Sequence, residues 1–207
     1  MLYYYPNRPT LIPADPPRQG HAGSLTDPKP DFLNDLEASG RYVAELKKNG
    51  DNCMLFTDDL SLWNRRKEPL RYNPTPLAKE AVRAELERLP KGCLVNLELM
   101  HYHCKAKAMK DLFIVHCLMT WKDKPLIGKT WGYSREILEN EFQFGTHVIL
   151  SPIYRVGFWD LFQKTDGEID EGLVLKDPTG KLVYSTTPIR DVPWMLKIRK
   201  PNNKYSF

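Results

Sequence analysis

"YVAELKKNGDNCMLF", residues 42–56, is the stretch on which the reading of this chain turns. An apolar run leads into Lys47-Lys48, Asn49-Gly50 follows, and a second apolar run occupies residues 53–56. The pattern predicts strand, tight turn, strand, because Asn-Gly is a frequent type I′ hairpin turn. Lysines at a turn are usually solvated. A chemical role for Lys47 therefore needs partners elsewhere, while Lys48 points to the opposite face and is expected to meet water.

Three later stretches supply such partners. "NLEL" places Glu98 inside an apolar strand, where a carboxylate is costly unless it faces a cleft or finds a partner. "DEGLVLKD" sets Glu171 and Lys176 at the two ends of a four-residue apolar stretch. "WMLKIRK" puts Lys197 and Arg199 two residues apart, on one face of a strand. Alternating cations over apolar neighbours suit the floor of an anion site, and a solvated strand edge gives the same pattern.

In order, these pieces run Glu45-x-Lys47-x-x-Gly50, Asn64-Arg65, Glu98, the strand 112–118, "EGLVLK" and "LKIR". The series resembles the nucleotidyltransferase motifs of ATP-dependent DNA and RNA ligases and of mRNA capping enzymes, over residues 40–200. The resemblance implies an ATP-grasp-like α+β domain of mainly antiparallel sheets flanked by helices. It also implies that Lys47 attacks the α-phosphate of ATP to form a lysyl-AMP, with Lys197 and Arg199 gripping that phosphate and orienting pyrophosphate. Glu45 would lie near the adenine, Arg65 would contact the nucleotide or an incoming phosphate, and Glu98 would hold the ribose hydroxyls. Lys176 joins the nucleotide-binding set. Phe113 or His116 would stack on the base. Glu171 would act in the environment of the lysine and of Mg²⁺ or Mn²⁺.

This chemistry makes physical sense. The nucleophile is the free amine rather than the ammonium, and nucleotidyl transfer needs charge neutralised at the non-bridging oxygens. Gly50 would let nucleotide approach the backbone. The implied activity is an ATP-dependent polynucleotide ligase sealing 5′-phosphate and 3′-hydroxyl ends of nicked or broken DNA or RNA, as in DNA repair or replication. The rivals are a capping-type guanylyltransferase and a non-catalytic nucleic-acid-binding module with a decayed site.

The pattern departs from the family in three places. Asn49 stands where most members have aspartate; Asn52 matches a branch of RNA ligases; and "TWGYSREIL" resembles a DNA-ligase segment. The strand that stacks on adenine offers Val115 and His116 in place of the usual residues. No OB domain is expected after Arg199.

Composition fits this reading. The 207 residues are 42% hydrophobic and 27% charged with a net charge of +4, as expected of a globular protein and compatible with a nucleic-acid partner. The four cysteines (Cys53, Cys93, Cys104, Cys117) lack zinc-like spacing and are expected as buried thiols of a cytoplasmic protein. His101 and His103 share a strand face and are a weaker metal candidate. No run of about 18 apolar residues is present, so no membrane span is expected. A monomer and a single domain over 1–207 are expected.

The expected elements follow from local signals. Seven prolines within residues 1–30 predict an irregular arm, with Tyr3, Tyr4 and Tyr5 in a packed strand. Helices are expected at 31–40, 75–90, 134–142 and 157–165. Strands are expected at 93–104, 111–121, 146–154 and 193–200, along with a strand ending in the basic turn Arg65-Arg66-Lys67. Lys105, Lys107 and Lys110 could extend that basic rim. "EGLVLKD" and "LVYSTT" are expected to pair as a hairpin around Pro178-Thr179-Gly180.

Overall fold

Asn49-Gly50 does not close a hairpin. In the computed structural model, which describes residues 2–11, 30–72, 75–101, 111–185 and 191–200, the strands on either side of it enter different sheets. In chain order the strands are β1 (Arg8–Leu11), β2 (Val43–Lys48), β3 (Asp51–Phe56), β4 (Ser61–Asn64), β5 (Leu94–Met100), β6 (Leu112–Trp121), β7 (Lys124–Pro125), β8 (Val148–Leu150), β9 (Asp170–Lys176) and β10 (Asp191–Arg199). The helices are α1 (Pro30–Ala38), α2 (Glu80–Glu87), α3 (Trp131–Glu141) and α4 (Phe158–Lys164). A four-stranded sheet runs β1-β10-β9-β2, and a six-stranded sheet runs β4-β3-β5-β6-β7 with β8 added beside β6.

The type I′ expectation fails on backbone geometry. That turn needs φ > 0 at both central residues, and neither Asn49 nor Gly50 has it. Instead the Asn49 N–H donates to the Ile169 carbonyl at 2.9 Å, and the Gly50 N–H donates to Glu98 Oε1 at 3.0 Å. A Cβ on Gly50 would sit 2.6 Å from the Leu99 carbonyl oxygen, so this position admits only glycine.

The chain divides into two compact units, one of Met1–Arg8, Gly50–Ser151 and Thr179–Arg190, the other of Pro9–Asn49, Pro152–Pro178 and Asp191–Phe207. In the second unit, alternate residues of β2, β9 and β10 (Ala44, Leu173, Leu175, Leu196 and Ile198) turn one sheet face toward Leu33 of α1 and Phe158 and Phe162 of α4. Burying such aliphatic and aromatic side chains contributes about 1.5–3 kcal/mol each. In the first unit the core is the buried run of β5 and β6, and α3, whose Trp131, Ile137 and Leu138 are buried, lies against β6. Ser134 of α3 accepts the Leu118 N–H at 2.8 Å and donates to the Leu118 carbonyl at 3.1 Å.

Both sheets are antiparallel in the described pairings except β6 with β8, which is parallel. Mixed sheets with flanking helices match the α+β expectation. The helix expected at 75–90 divides into a 3₁₀ turn at Pro76–Ala78 and α2. Its break is Lys79, whose backbone is extended and whose ammonium pairs with buried Asp111. The expected hairpin between "EGLVLKD" and "LVYSTT" is absent. Both sides of β9 are already filled by β2 and β10, and Leu182 bonds instead to residues 128 and 129.

Residues 2–7 form no strand; Tyr3 packs on Phe56 and Trp63 and donates its hydroxyl to the Asn64 carbonyl at 2.7 Å. Most of the proline-rich arm, His103, Cys104 and the lysines at 105, 107 and 110 lie outside the described residues. Cys53, Cys93 and Cys117 are buried free thiols, as expected.

Candidate active site

The registers of β2, β9 and β10 define a second, polar face on the four-stranded sheet. Glu45 lies across from Val174 and Lys47 from Gly172; Met195 lies across from Lys176, Lys197 from Val174 and Arg199 from Gly172. Cross-strand partners share a face. Glu45, Lys47, Lys176, Lys197 and Arg199 thus stand together, opposite the face packed on α1 and α4. For Lys197 and Arg199 this shared face is what their two-residue spacing predicted.

Glu171 is the exception that completes the group. Simple alternation would put it on the same face as Leu173 and Leu175, in the hydrocarbon core. The register skips it: Lys47 pairs with Gly172 and Lys48 with Asp170, which leaves Glu171 as the extra residue of a β-bulge. The bulge turns its carboxylate to the polar face. There Oε2 accepts the Lys47 ammonium and lies 3.3 Å from Arg199 Nε. Gly172 makes the bulge possible. Its φ is +149°, and a Cβ would fall inside the carbonyl oxygen of Ile198.

At the far end of the same face, Lys176 Nζ donates to Glu45 Oε1 at 2.8 Å, with both side chains almost wholly buried. Lys48 is not solvated as expected; its ammonium lies 2.6 Å from Asp170 Oδ1, with 15% of the side chain exposed. The bulge explains this, since it brings Asp170 directly across from Lys48.

The remaining sequence candidates belong to the other unit. Glu98 is half-buried and holds the Gly50 N–H; Asn52 Nδ2 reaches its Oε2 at 3.4 Å. Asn96 donates to Asn52 Oδ1 at 3.2 Å, which fixes the Asn52 amide so that its NH₂ faces Glu98. Phe113 has no exposed surface. His116 is half-buried and is itself a bulge residue, skipped between the pairs Asn96–Cys117 and Leu97–Val115. Arg65 is exposed in the turn after β4. Asn64 stiffens that turn by accepting the N–H groups of Arg66 and Glu68 on its Oδ1.

Sequence reasoning missed the partners that frame the lysine: Asp170, Asp166 and the amide of Asn49. Asp166 Oδ1 accepts three successive N–H groups, from Glu168, Ile169 and Asp170, at 2.8–2.9 Å. Burial pushes its carboxyl up, but these N–H donors outweigh burial and hold it below the ordinary carboxylate range. The Asp166-Gly167 pair carried a turn signal that could have located this loop.

A divalent metal is testable on the donor set. Among the described residues no group of three His, Cys, Asp or Glu side chains could hold an ion by itself. Magnesium at nucleotide sites uses one or two carboxylates, with substrate phosphates and water supplying the rest. Glu171 fits that requirement, since both of its cation partners engage Oε2.

No protein-family model matches the chain, and no curated protein matches it. Solved structures do. A mycobacterial DNA ligase D complexed with ATP and MES superposes with a TM-score of 0.56 at 15% identity, covering 78% of this chain and 55% of that one. The ligase domain of LigD from M. tuberculosis gives 0.54 at 13% identity, covering 75% and 52%. A Lig E DNA ligase, described as binding DNA with a minimal scaffold, gives 0.53 at 12% identity, covering 78% and 62%. The chain thus spans between 52% and 62% of the length of these structures. At such identities the likeness is one of fold: the chain shares the fold of these DNA ligase structures.

Proposed function

We propose that the ligase-type fold of this chain serves nucleotidyl transfer, with Lys47 as the nucleophile that takes up AMP from ATP. The observation that carries the reading is the pairing of Lys47 with a carboxylate displaced onto its face by a bulge, flanked by Arg199. An isolated surface lysine needs no such arrangement. A nucleophilic lysine does, because its amine must be aimed and must give up a proton.

In the proposed step Lys47 Nζ forms a bond to the α-phosphorus of ATP. The bond from that phosphorus to the bridging oxygen breaks, and pyrophosphate leaves with the electron pair. The amine proton passes to Glu171, the carboxylate in contact with it. Lys197 and Arg199, on the same face, neutralise charge at the α-phosphate as the bond order changes. Magnesium held by Glu171 and the phosphates would supply further neutralisation of the triphosphate.

Glu98 is proposed to hold the ribose hydroxyls, and His116, which keeps exposed surface where Phe113 has none, to meet the base. Arg65 is proposed to contact phosphate. Glu45, proposed to lie near the adenine, and Lys176 of the proposed nucleotide-binding set are bonded to each other. Transfer of AMP to a 5′-phosphate, and its displacement by a 3′-hydroxyl, completes a polynucleotide ligase cycle. DNA or RNA ends are the proposed substrates, and the net charge of +4 favours such a partner.

Intact-mass spectrometry after incubation with magnesium and ATP or GTP is the test. The expected result is a stable gain of one AMP from ATP alone. A gain of GMP points to capping-type chemistry. No adduct with either overturns the reading. Sealing of nicked DNA, RNA and hybrid duplexes then identifies the substrate.

A further inference from the structure

Asn49, two residues after Lys47, is tied to the loop that leads into the bulge. Its side-chain Nδ2 donates to the Glu168 carbonyl at 2.7 Å and its backbone N–H to the Ile169 carbonyl at 2.9 Å. The same loop is gathered from inside by Asp166, whose Oδ1 takes the N–H groups of Glu168, Ile169 and Asp170. Gly167, at φ +73°, donates back to the Asp170 carbonyl at 3.0 Å. The Glu168 and Ile169 carbonyls are thus met by Asn49, and the N–H groups of 168–170 by Asp166, while the Asp170 carboxylate pairs with Lys48.

The far side of the bulge is tied as well. The Lys200 N–H donates to the Glu171 carbonyl at 2.8 Å, and the Lys200 ammonium donates to the carbonyls of Gln163 and Thr165 at the end of α4, at 2.9 and 2.6 Å. Glu171 is thus held between two clamps: Asn49 with Asp166 before it, and Lys200 after it. Neither clamp touches the Lys47–Glu171 contact itself.

We infer that Asn49 is a positioning residue that sets the place of the β9 bulge, and through it the aim of Glu171 at Lys47. Its chemistry is specific. The 2.7 Å contact needs a donor facing a carbonyl oxygen. An aspartate at 49 would set carboxylate oxygen against carbonyl oxygen and would repel the loop. Asparagine here is a required amide rather than a faded acid. The inference rests on the proposed role of Lys47, and the experiment separates the two.

The variants are Asn49→Asp, Asn49→Ala and Asp166→Ala, each checked for folding by circular dichroism and melting. Lysine adenylation is followed as initial rate against ATP concentration. The rate constant for Asn49→Asp is expected to fall roughly 10-fold, more than for Asn49→Ala, with the half-saturating ATP concentration unchanged. Hydrogen exchange at the amides of 168–170 should quicken in all three variants. An aspartate variant that adenylates at the wild-type rate, or amides 168–170 that exchange as in wild type, overturns the inference. If Asn49→Asp does not fold, Asp166→Ala carries the same expectations and the same grounds for rejection.

If wild type takes up no nucleotide, the functional reading fails, and the clamp is judged by an amine-acylating reagent, sulfosuccinimidyl acetate, read by peptide mass spectrometry. Release of the clamp should change the acylation of Lys47 at least about 3-fold relative to wild type. An unchanged ratio then overturns it.

Discussion

Glu45 with Lys176, and Lys47 with Glu171, are the same two side-chain types on one sheet face, yet they sit in opposite circumstances. The first pair lies in regular register, with 1% and 3% of the side chains exposed. The second lies at a bulge, with 16% and 8% exposed and a third charge, Arg199, alongside. A buried pair with its partners complete is a fixture whose worth lies in specifying one arrangement of strands. A partly exposed pair at an irregularity can exchange partners when an anion arrives. The contrast shows how a sheet makes one lysine structural and another available, using register alone.

The largest expected effect comes from removing the available lysine. Lys47→Ala should lower AMP uptake at least about a thousandfold while leaving the melting temperature close to wild type. Radiolabel retained on the denatured variant would erase the distinction between the two ends. Glu45→Ala should do the reverse and destabilise the protein by about 3–5 kcal/mol, because it removes the carboxylate paired with a buried ammonium. Denaturant unfolding measures this, and the double variant Glu45→Leu/Lys176→Met should recover most of the loss.

Gly172→Ala probes the irregularity itself. Its backbone conformation and the Ile198 carbonyl leave no room for a methyl group, so a loss of about 1–3 kcal/mol is expected, again from unfolding curves. The smallest effect is acid sensitivity of the loop before the bulge. The Asp166 carboxyl is held below its ordinary value of 3.8 in the folded protein. Its contribution is therefore complete above that pH and is lost as pH falls through the lower folded value. Amide exchange at 168–170 should show this loss at acid pH before the core of β9 does.

Much of this face was legible before any coordinates. Two-residue spacing in "WMLKIRK" and "ELK" announces which side chains share a side, and the apolar partners announce the other. What was not legible is long-range. Asn49-Gly50 has the composition of a hairpin turn, yet the chain there changes sheets, because the bonds that decide its path come from Glu98 and Ile169, far away in sequence. The pairing of β9 with β2 and β10 likewise depends on which edges are already occupied, which no local pattern records. The bulge at Glu171 is hidden for a related reason: "DEGLVLKD" reads as plain alternation until its neighbour's register is known. Within "EG" the glycine was the available hint, since only glycine reaches that backbone angle.

The same bulge limits how the strand can change length. Loss of residue 171 would restore one-to-one pairing, with Gly172 still across from Lys47 and Asp170 across from Lys48, and would leave the other side chains on their own sides. What would be lost is the carboxylate itself, and the amine of Lys47 would be left on a face with Lys197 and Arg199. The same loss anywhere else in the strand would shift one end by a residue and turn its side chains over.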